Sequence, residues 1–303
     1  VFLFAPSPML GLDAVFHTFD VESGLPLYVR AERLRQVSSS QWSASKAVLT
    51  TSEFGEPHFS IGVSDVLITQ YPDNQGDTTT RARAKHLTFN VGDLPIFYWP
   101  YVEGRVSEPL LRQINMGHND NRGVVIETRW DLFGLMGSTE PEGVRADLLV
   151  DGYTDRGAGL GVDINYERAN AYGNLLAYGM YDSGQTEPGG RTSVTREFED
   201  IRGVFQLQHR HRLPGNWEAT LELGYVSDEV FLEEFFTDMA YADKDVESLL
   251  YLKQQSDDDA FTALFKYDMI DFVPNLATLQ TPGYTVNKFP EFAYFRPGTS
   301  FWR

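Results

Sequence analysis

The chain has 303 residues, 42% of them hydrophobic and 14% aromatic, enough to bury a sizeable core and rich in the flat rings that suit pleated, half-buried strands. Its 43 acidic against 25 basic residues give a formal charge of −18, a field that repels polyphosphate, so nucleic acid is not expected as a partner. No cysteine is present, which removes disulfides, thiolate metal sites and cysteine nucleophiles, and no apolar run approaches the ~18 residues that a membrane helix needs. A helical membrane protein is thereby excluded. Val1 to Pro6 carries neither an initiator Met nor a basic stretch, and Ser300 to Arg303 stops without a turn. Both ends are expected to be cuts from a longer chain.

From Val15 to Asn90 the sequence alternates in short segments, such as Leu27 to Leu34 and Phe59 to Val66, punctuated by Gly24, by Gly55-Glu56-Pro57 and by Pro72-Asp73-Asn74. This predicts a meander of short strands. Within it Val29, Ile61 and Val63 are expected to point inward, and Arg30 and Ser60 outward. A proline-bracketed aromatic segment follows, Leu94-Pro95-Ile96-Phe97-Tyr98-Trp99-Pro100-Tyr101, after which the strands lengthen. A first module of residues 1–98 and a second of 99–303 are predicted.

Beyond Asn121 the period of two is clearest. Trp217, Ala219, Leu221, Leu223 and Tyr225 alternate with Glu218, Thr220, Glu222 and Gly224, and the segments at Leu160–Tyr166, Phe205–Arg210 and Phe261–Tyr267 repeat the pattern. Turn clusters at 138–143, 169–173, 183–191 and 213–216 separate these runs, and about eight strands are predicted at roughly 10 residues per strand plus a turn. The fold class is therefore all-β. A wet lumen and a lipid-facing exterior would explain the two faces, with Leu221 and Leu223 on the lipid side, although a soluble sandwich shows the same alternation.

The aromatic segment Leu94–Tyr101 resembles the "PVFYxPY" junction of the LptD/OstA family of outer-membrane lipopolysaccharide-assembly proteins. Leu49-Thr50-Thr51-Ser52 with Pro57-His58-Phe59-Ser60-Ile61 is similar to that family's last jellyroll turns, and Tyr225-Val226-Ser227-Asp228-Glu229-Val230-Phe231-Leu232 to its "VSDxxYxxDF" barrel segment. The resemblance implies a periplasmic β-jellyroll, an open V-shaped strand stack, followed by part of a large antiparallel transmembrane β-barrel. It implies that lipopolysaccharide is carried with its acyl chains in the jellyroll, around Val29, Ile61 and Val63, and its sugar in the barrel lumen, with Pro95, Phe97, Tyr98 and Pro100 at the junction. The implied partners are lipopolysaccharide, the outer-membrane bilayer, the periplasmic bridge protein of the Lpt system and an LptE-like lipoprotein plug. No cofactor and no enzymatic step is implied. Ser52 stands where many relatives carry Cys, so a disulfide switch is not carried over, and no Pro lies between Pro109 and Pro141 to loosen a lateral gate.

Other constellations read more plainly. His209 and His211 share one strand face and could ligate a metal only with a third ligand; extension of the Phe205 and Leu207 face accounts for them as well. Asp257-Asp258-Asp259 and Glu233-Glu234 have the composition of paired carboxylates or a cation loop, yet adjacent acids point apart. Ser227-Asp228 lacks a nucleophile elbow, and Gly157 to Gly161 lacks a dinucleotide fingerprint and reads as a tight hairpin. A porin-like channel and a soluble carbohydrate-active β protein are the rival classes.

Overall fold

The computed structural model describes residues 10–19, 26–50, 59–72, 78–105, 110–184, 200–242, 244, 246–270, 272 and 286–296. These residues are all-β, 71% of them in strands and 6% in helices, in two antiparallel sheets. No helix among these residues is long and apolar enough to cross a membrane. The expectations resting on Thr51 to His58, including Ser52, on Pro109, on most of the 183–191 turn and on the two chain ends lie outside the described residues.

The first sheet is a six-stranded meander of β1 (Leu10–Phe19), β2 (Pro26–Ser38), β3 (Gln41–Thr50), β4 (Phe59–Pro72), β5 (Thr78–Val91) and β6 (Leu94–Arg105), each paired with its neighbour in sequence. The second has ten strands in the same serial order: β7 (Leu111–Asn119), β8 (Gly123–Asp131), β9 (Val144–Tyr153), β10 (Gly157–Glu167), β11 (Ala171–Asp182), β12 (Ile201–Leu213), β13 (Trp217–Val226), β14 (Leu249–Gln255), β15 (Ala260–Lys266) and β16 (Lys288–Phe295). Three short helices interrupt it, α1 (Leu132–Leu135), α2 (Phe231–Phe235) and α3 (Thr237–Ala240). Nine described strands follow Asn121, where about eight are predicted, and two of them, β14 and β15, have seven residues each.

The compact units are Val1–Arg112 with Asp131–Glu140, and Gln113–Trp130 with Pro141–Arg303. The division predicted after Tyr98 falls inside β6, whose pairing with β5 runs on to Arg105. The aromatic segment is thus the last strand of the first sheet. Its prolines sit where the ladder is interrupted: Pro95 beside the bulge at Phe89/Asn90, and Pro100 where the register steps from Lys85↔Tyr101 to Leu87↔Trp99. Those are the places in a sheet where a missing N–H costs least.

Candidate functional site

In the first sheet, direct pairing puts Val29, Leu49, Ile61, Phe89 and Phe97 in one cross-strand row. Paired residues share a face, so this row crosses five strands on one side. Ala31, Ala47 and Val63 form the adjacent row, with Leu87 and Trp99 paired on β5 and β6. A third row is Leu34, Ala44, Val66, Ala84 and Val102. Along each strand the step from the second row to the third is three residues instead of two. The extra residue leaves polar neighbours such as Glu32-Arg33, Ser45-Lys46 and Ser64-Asp65 together on the opposite side, where Lys46 binds Glu32 at 2.6 Å.

That shift is written into the backbone. Asp13, Lys46 and His86, at one level on alternate strands, have φ of 49°, 48° and 52°, the left-handed region that non-glycine residues adopt at a cost. Residues from both sides of the line then pack in one cluster, Ala31, Ala44 and Ala47 with Leu34, Val63 and Val66. The sheet therefore folds towards its apolar face, which we call the trough. Phe89 is fully buried, and Leu87, Ala84 and Val102 are 7% exposed or less. Val29, Ile61 and Val63 all lie on this face and are half-buried. Ser60 is paired with Asn90 on the other face but is itself buried, because Asn90 Nδ2 donates to its Oγ at 3.3 Å and the strand crowds it, so it is a poor outward reference.

Among the junction residues, Phe97 and Trp99 face the trough, stacked with ring centroids 6.0 Å apart. Tyr98 faces the opposite side and hydrogen-bonds His86 at 2.7 Å. Pro95 and Pro100 are exposed. Trp99 Nε1 donates to the Leu135 carbonyl at 2.8 Å, which seats α1 against β6. Glu103, further along β6, accepts from Arg83 Nε at 2.9 Å and from the Tyr101 hydroxyl at 2.8 Å, and these donors hold its carboxyl below the usual range.

The second sheet separates its faces differently. Ala146, Ile164, Leu175, Leu207 and Leu223 form an unbroken apolar row on one face, and Leu221 is paired with Leu250, which is paired with Phe265. Much of this face is open: Leu160 is 59% exposed, Ile201 74% and Phe292 65%. Leu221 and Leu223 both belong to it and are half-buried. The other face carries Asn165, Asn174, Gln208 and Glu222 in one row. Glu222 pairs there with Lys244 at 2.7 Å.

One end of that polar face is apolar because it is covered. Leu149, Tyr178, Val204 and Val226 pack with Phe231, Leu232 and Phe235 of α2 and Ala240 of α3. Gly159 and Gly161 admit the Tyr178 ring, since a Cβ on Gly159 would stand 1.8 Å from its hydroxyl oxygen. The glycine run read as a tight hairpin is therefore a strand whose alternate glycines make room for an aromatic ring. The turn itself is Thr154 to Arg156.

The same loop is fastened by buried charges. Arg202 binds both Asp228 oxygens at 2.7 and 2.8 Å, Asp182 at 2.6 Å and Glu234 at 2.8 Å, while Arg156 reaches Glu234 and, at 3.5 Å, Asp182. The Arg202 guanidinium also lies 5.4 Å from the Phe231 ring centroid. Both arginines are at most 2% exposed. Sequence reading noticed Ser227-Asp228 and Glu233-Glu234 but missed Arg156 and Arg202, whose partners are distant in sequence. Alternation would have flagged Arg202, an arginine on the face that buries Val204.

The remaining candidates are committed locally. His209 Nδ1 is hydrogen-bonded to the Tyr166 hydroxyl, and His211 packs edge-on against His209 at 5.7 Å. Ser227 Oγ donates to Asp228, which already holds Arg202. Asp259 accepts from the Tyr294 hydroxyl at 3.0 Å. No group of three or more potential metal ligands comes together among the described residues. Among known proteins, no family model matches the chain and no curated protein matches it.

Proposed function

We propose that the chain is part of a lipopolysaccharide transporter of the outer membrane. The first sheet acts as a periplasmic jellyroll whose trough carries acyl chains, and the second as part of a transmembrane barrel whose polar face lines the sugar route. The observation that carries this reading is the folded apolar trough, in which five strands change their alternation at one level so that two arms share an apolar face. An amphiphile whose two ends prefer different solvents needs two differently lined routes, and the two sheets supply one of each. The exposed apolar face of the second sheet is suited to lipid, the solvent in which a barrel exterior rests. In water, that face would be an association liability.

On this reading β1, which pairs with β2 alone among the described strands, offers an edge to the periplasmic bridge protein by strand addition. An LptE-like lipoprotein would occupy the polar side of the second sheet. A passive porin-like channel leaves the trough without a role, and a soluble carbohydrate-active protein leaves the apolar face of the second sheet without a solvent. The proposal needs no catalytic group, metal or cofactor.

Photo-crosslinking amino acids at Val29, Ile61 and Val63 in growing cells test it. Lipopolysaccharide adducts are expected at these three positions and not at Arg33 or Lys85, which are exposed on the opposite face. Equal labelling of both sets, or none at the trough positions, contradicts it.

A further inference from the structure

The open face of the second sheet changes character along its strands. Its middle is aliphatic, with Ile164, Leu175, Leu207 and Leu223 in one row and Leu221 paired with Leu250 in the next. Rings with a polar edge stand towards the strand ends. Near the turns after β10 and β12 they are Tyr166, His209, His211 and Trp217, and at the opposite end they are Tyr181, Tyr225 and Tyr267. Tyr267 belongs to this face because it shares the Phe289 ring with Phe265. Tyr181, Tyr225 and Tyr267 are 57%, 47% and 50% exposed. Flat rings with one polar edge are the side chains that settle at the interfaces of a membrane.

Neither set follows a cross-strand row. The row of Tyr166 runs through Gly173 and His209 and meets β13 at Leu221, four residues from Trp217. The row of Tyr225 runs through Phe205 and meets β11 at Ala177, four residues from Tyr181. Tyr267 donates its N–H to the Ser248 carbonyl, one step beyond Lys266↔Leu249↔Glu222, which puts it level with Leu223, two residues from Tyr225. Both sets therefore step the same way, falling towards the β12–β13 turn as the strands are counted upward. At ~3.4 Å per residue and ~4.8 Å between strands, the first falls about 14 Å over about 14 Å of sheet, and the second about 20 Å over about 19 Å. Both slopes are close to the roughly 35–45° at which barrel strands incline in a bilayer. Alternation alone does not require any such slope.

We propose that the two hydrocarbon boundaries of the bilayer lie along these diagonals, one from Tyr166 to Trp217 and one from Tyr181 through Tyr225 to Tyr267, and that this surface fits a thin bilayer. This rests on the reading that the open face meets lipid. Trp217 and Tyr225 set the span on β13: about 27 Å along the strand, and about 20 Å across the membrane at that inclination. An ordinary hydrocarbon core is about 30 Å thick. The histidine pair also gains a place. His209, bonded to Tyr166, and His211 lie on β12 between Tyr166 and Trp217, at the level where a polar ring edge meets head groups. Tyr294 lies inside the first line, and its hydroxyl takes its partner from the protein, donating to Asp259 at 3.0 Å.

The chain has no cysteine, so single cysteines carry a nitroxide without background. In the full chain folded in dilauroyl phosphatidylcholine vesicles, labels replace Ile164, Leu175, Leu207 or Leu223, which are half-buried and share one cross-strand row. Depth is read from relaxation by oxygen against relaxation by a water-soluble nickel chelate. Inclined strands carry that single row through the membrane. Leu207→Cys should read deepest, about 5 Å deeper than Ile164→Cys, with Leu175→Cys and Leu223→Cys between them. Trp217→Cys and Tyr225→Cys should read at the two interfaces, and Leu221→Cys near the centre. Equal depths along the row overturn the inclination, and a central reading at Trp217 or Tyr225 overturns the span; either result leaves the bilayer reading in place. Nickel access at every position equal to that of a label in water overturns the bilayer reading and this assignment with it.

Discussion

The two sheets use one alternating code to opposite ends. In the first, the apolar face is turned in on itself: Phe89, Leu87, Ala84 and Val102 are buried by the fold of a sheet only one layer thick. In the second, the apolar face stays open at Leu160, Ile201 and Phe292, and the polar face is the one that a loop covers. Burial in the first unit is therefore made by bending strands, and in the second by docking α2 and α3 with their charges. A strand's period states which residues share a side; it does not state what solvent that side meets.

The contrast predicts unequal responses to substitution. The largest effect belongs to the charged fastening of the second sheet. Arg202→Met takes from the buried Asp182 and Asp228 and the half-buried Glu234 the guanidinium they share, and should destabilise this unit by about 3 to 5 kcal/mol in equilibrium unfolding. Arg202→Lys should fall between, because an ammonium cannot bind Asp228 through two parallel bonds. A cost near zero for Arg202→Met would show that α2 is held by its aromatic contacts alone.

The bend of the first sheet is examined by Phe89→Ala. It should cost about 3 kcal/mol, the lower end for a buried Phe, since Ile61 and Phe97 can close over part of the gap. Tyr98→Ala, across the strand and exposed, should cost less than about 1 kcal/mol despite its bond to His86. Similar costs for the two in chemical denaturation would mean that the trough face is not the packed one.

The smallest effect is electrostatic. Glu103 has its carboxyl held below the ordinary value of 4.5, first by the Arg83 bond and then by Tyr101. A depressed carboxylate adds stability above the unfolded value, and that stability is lost as pH falls through the folded one. Glu103→Gln should therefore cost less than about 1 kcal/mol at neutral pH, because Arg83 is half exposed and solvent screens the pair. The difference should vanish in acid. A cost that persists below the carboxylate range would assign Glu103 a packing role instead.

Much of this architecture was legible in the residues. The alternation of Trp217 to Tyr225 separates Leu221 and Leu223 from Glu222 as the register does, and Val29, Ile61 and Val63 share a face as their spacing requires. The bend was not legible. It depends on left-handed backbone at Asp13, Lys46 and His86, where no glycine marks the position, and on three-residue steps that simple alternation treats as noise. The buried charge cluster was hidden for another reason. Arg156, Arg202 and Glu234 lie on separate elements, and only the register of β10 to β13 with the return of α2 brings them together. The partner of Glu222 was equally hidden, since Lys244 reaches it at 2.7 Å from the loop beyond α3.

The proposed function places the two apolar faces in different solvents, one around cargo and one against a bilayer. It is tested most directly by placing the same charge on each face and varying the thickness of the membrane. Leu221→Arg should cost about 2 to 4 kcal/mol in a bilayer of ordinary thickness, with a penalty that shrinks as the bilayer thins and the guanidinium reaches the interface. Ile61→Arg should carry a penalty set by its apolar neighbours Leu49 and Phe89, the same in thick and thin bilayers. A Leu221→Arg penalty that ignores thickness, or folding of the second sheet to full compactness without lipid or detergent, would contradict the account.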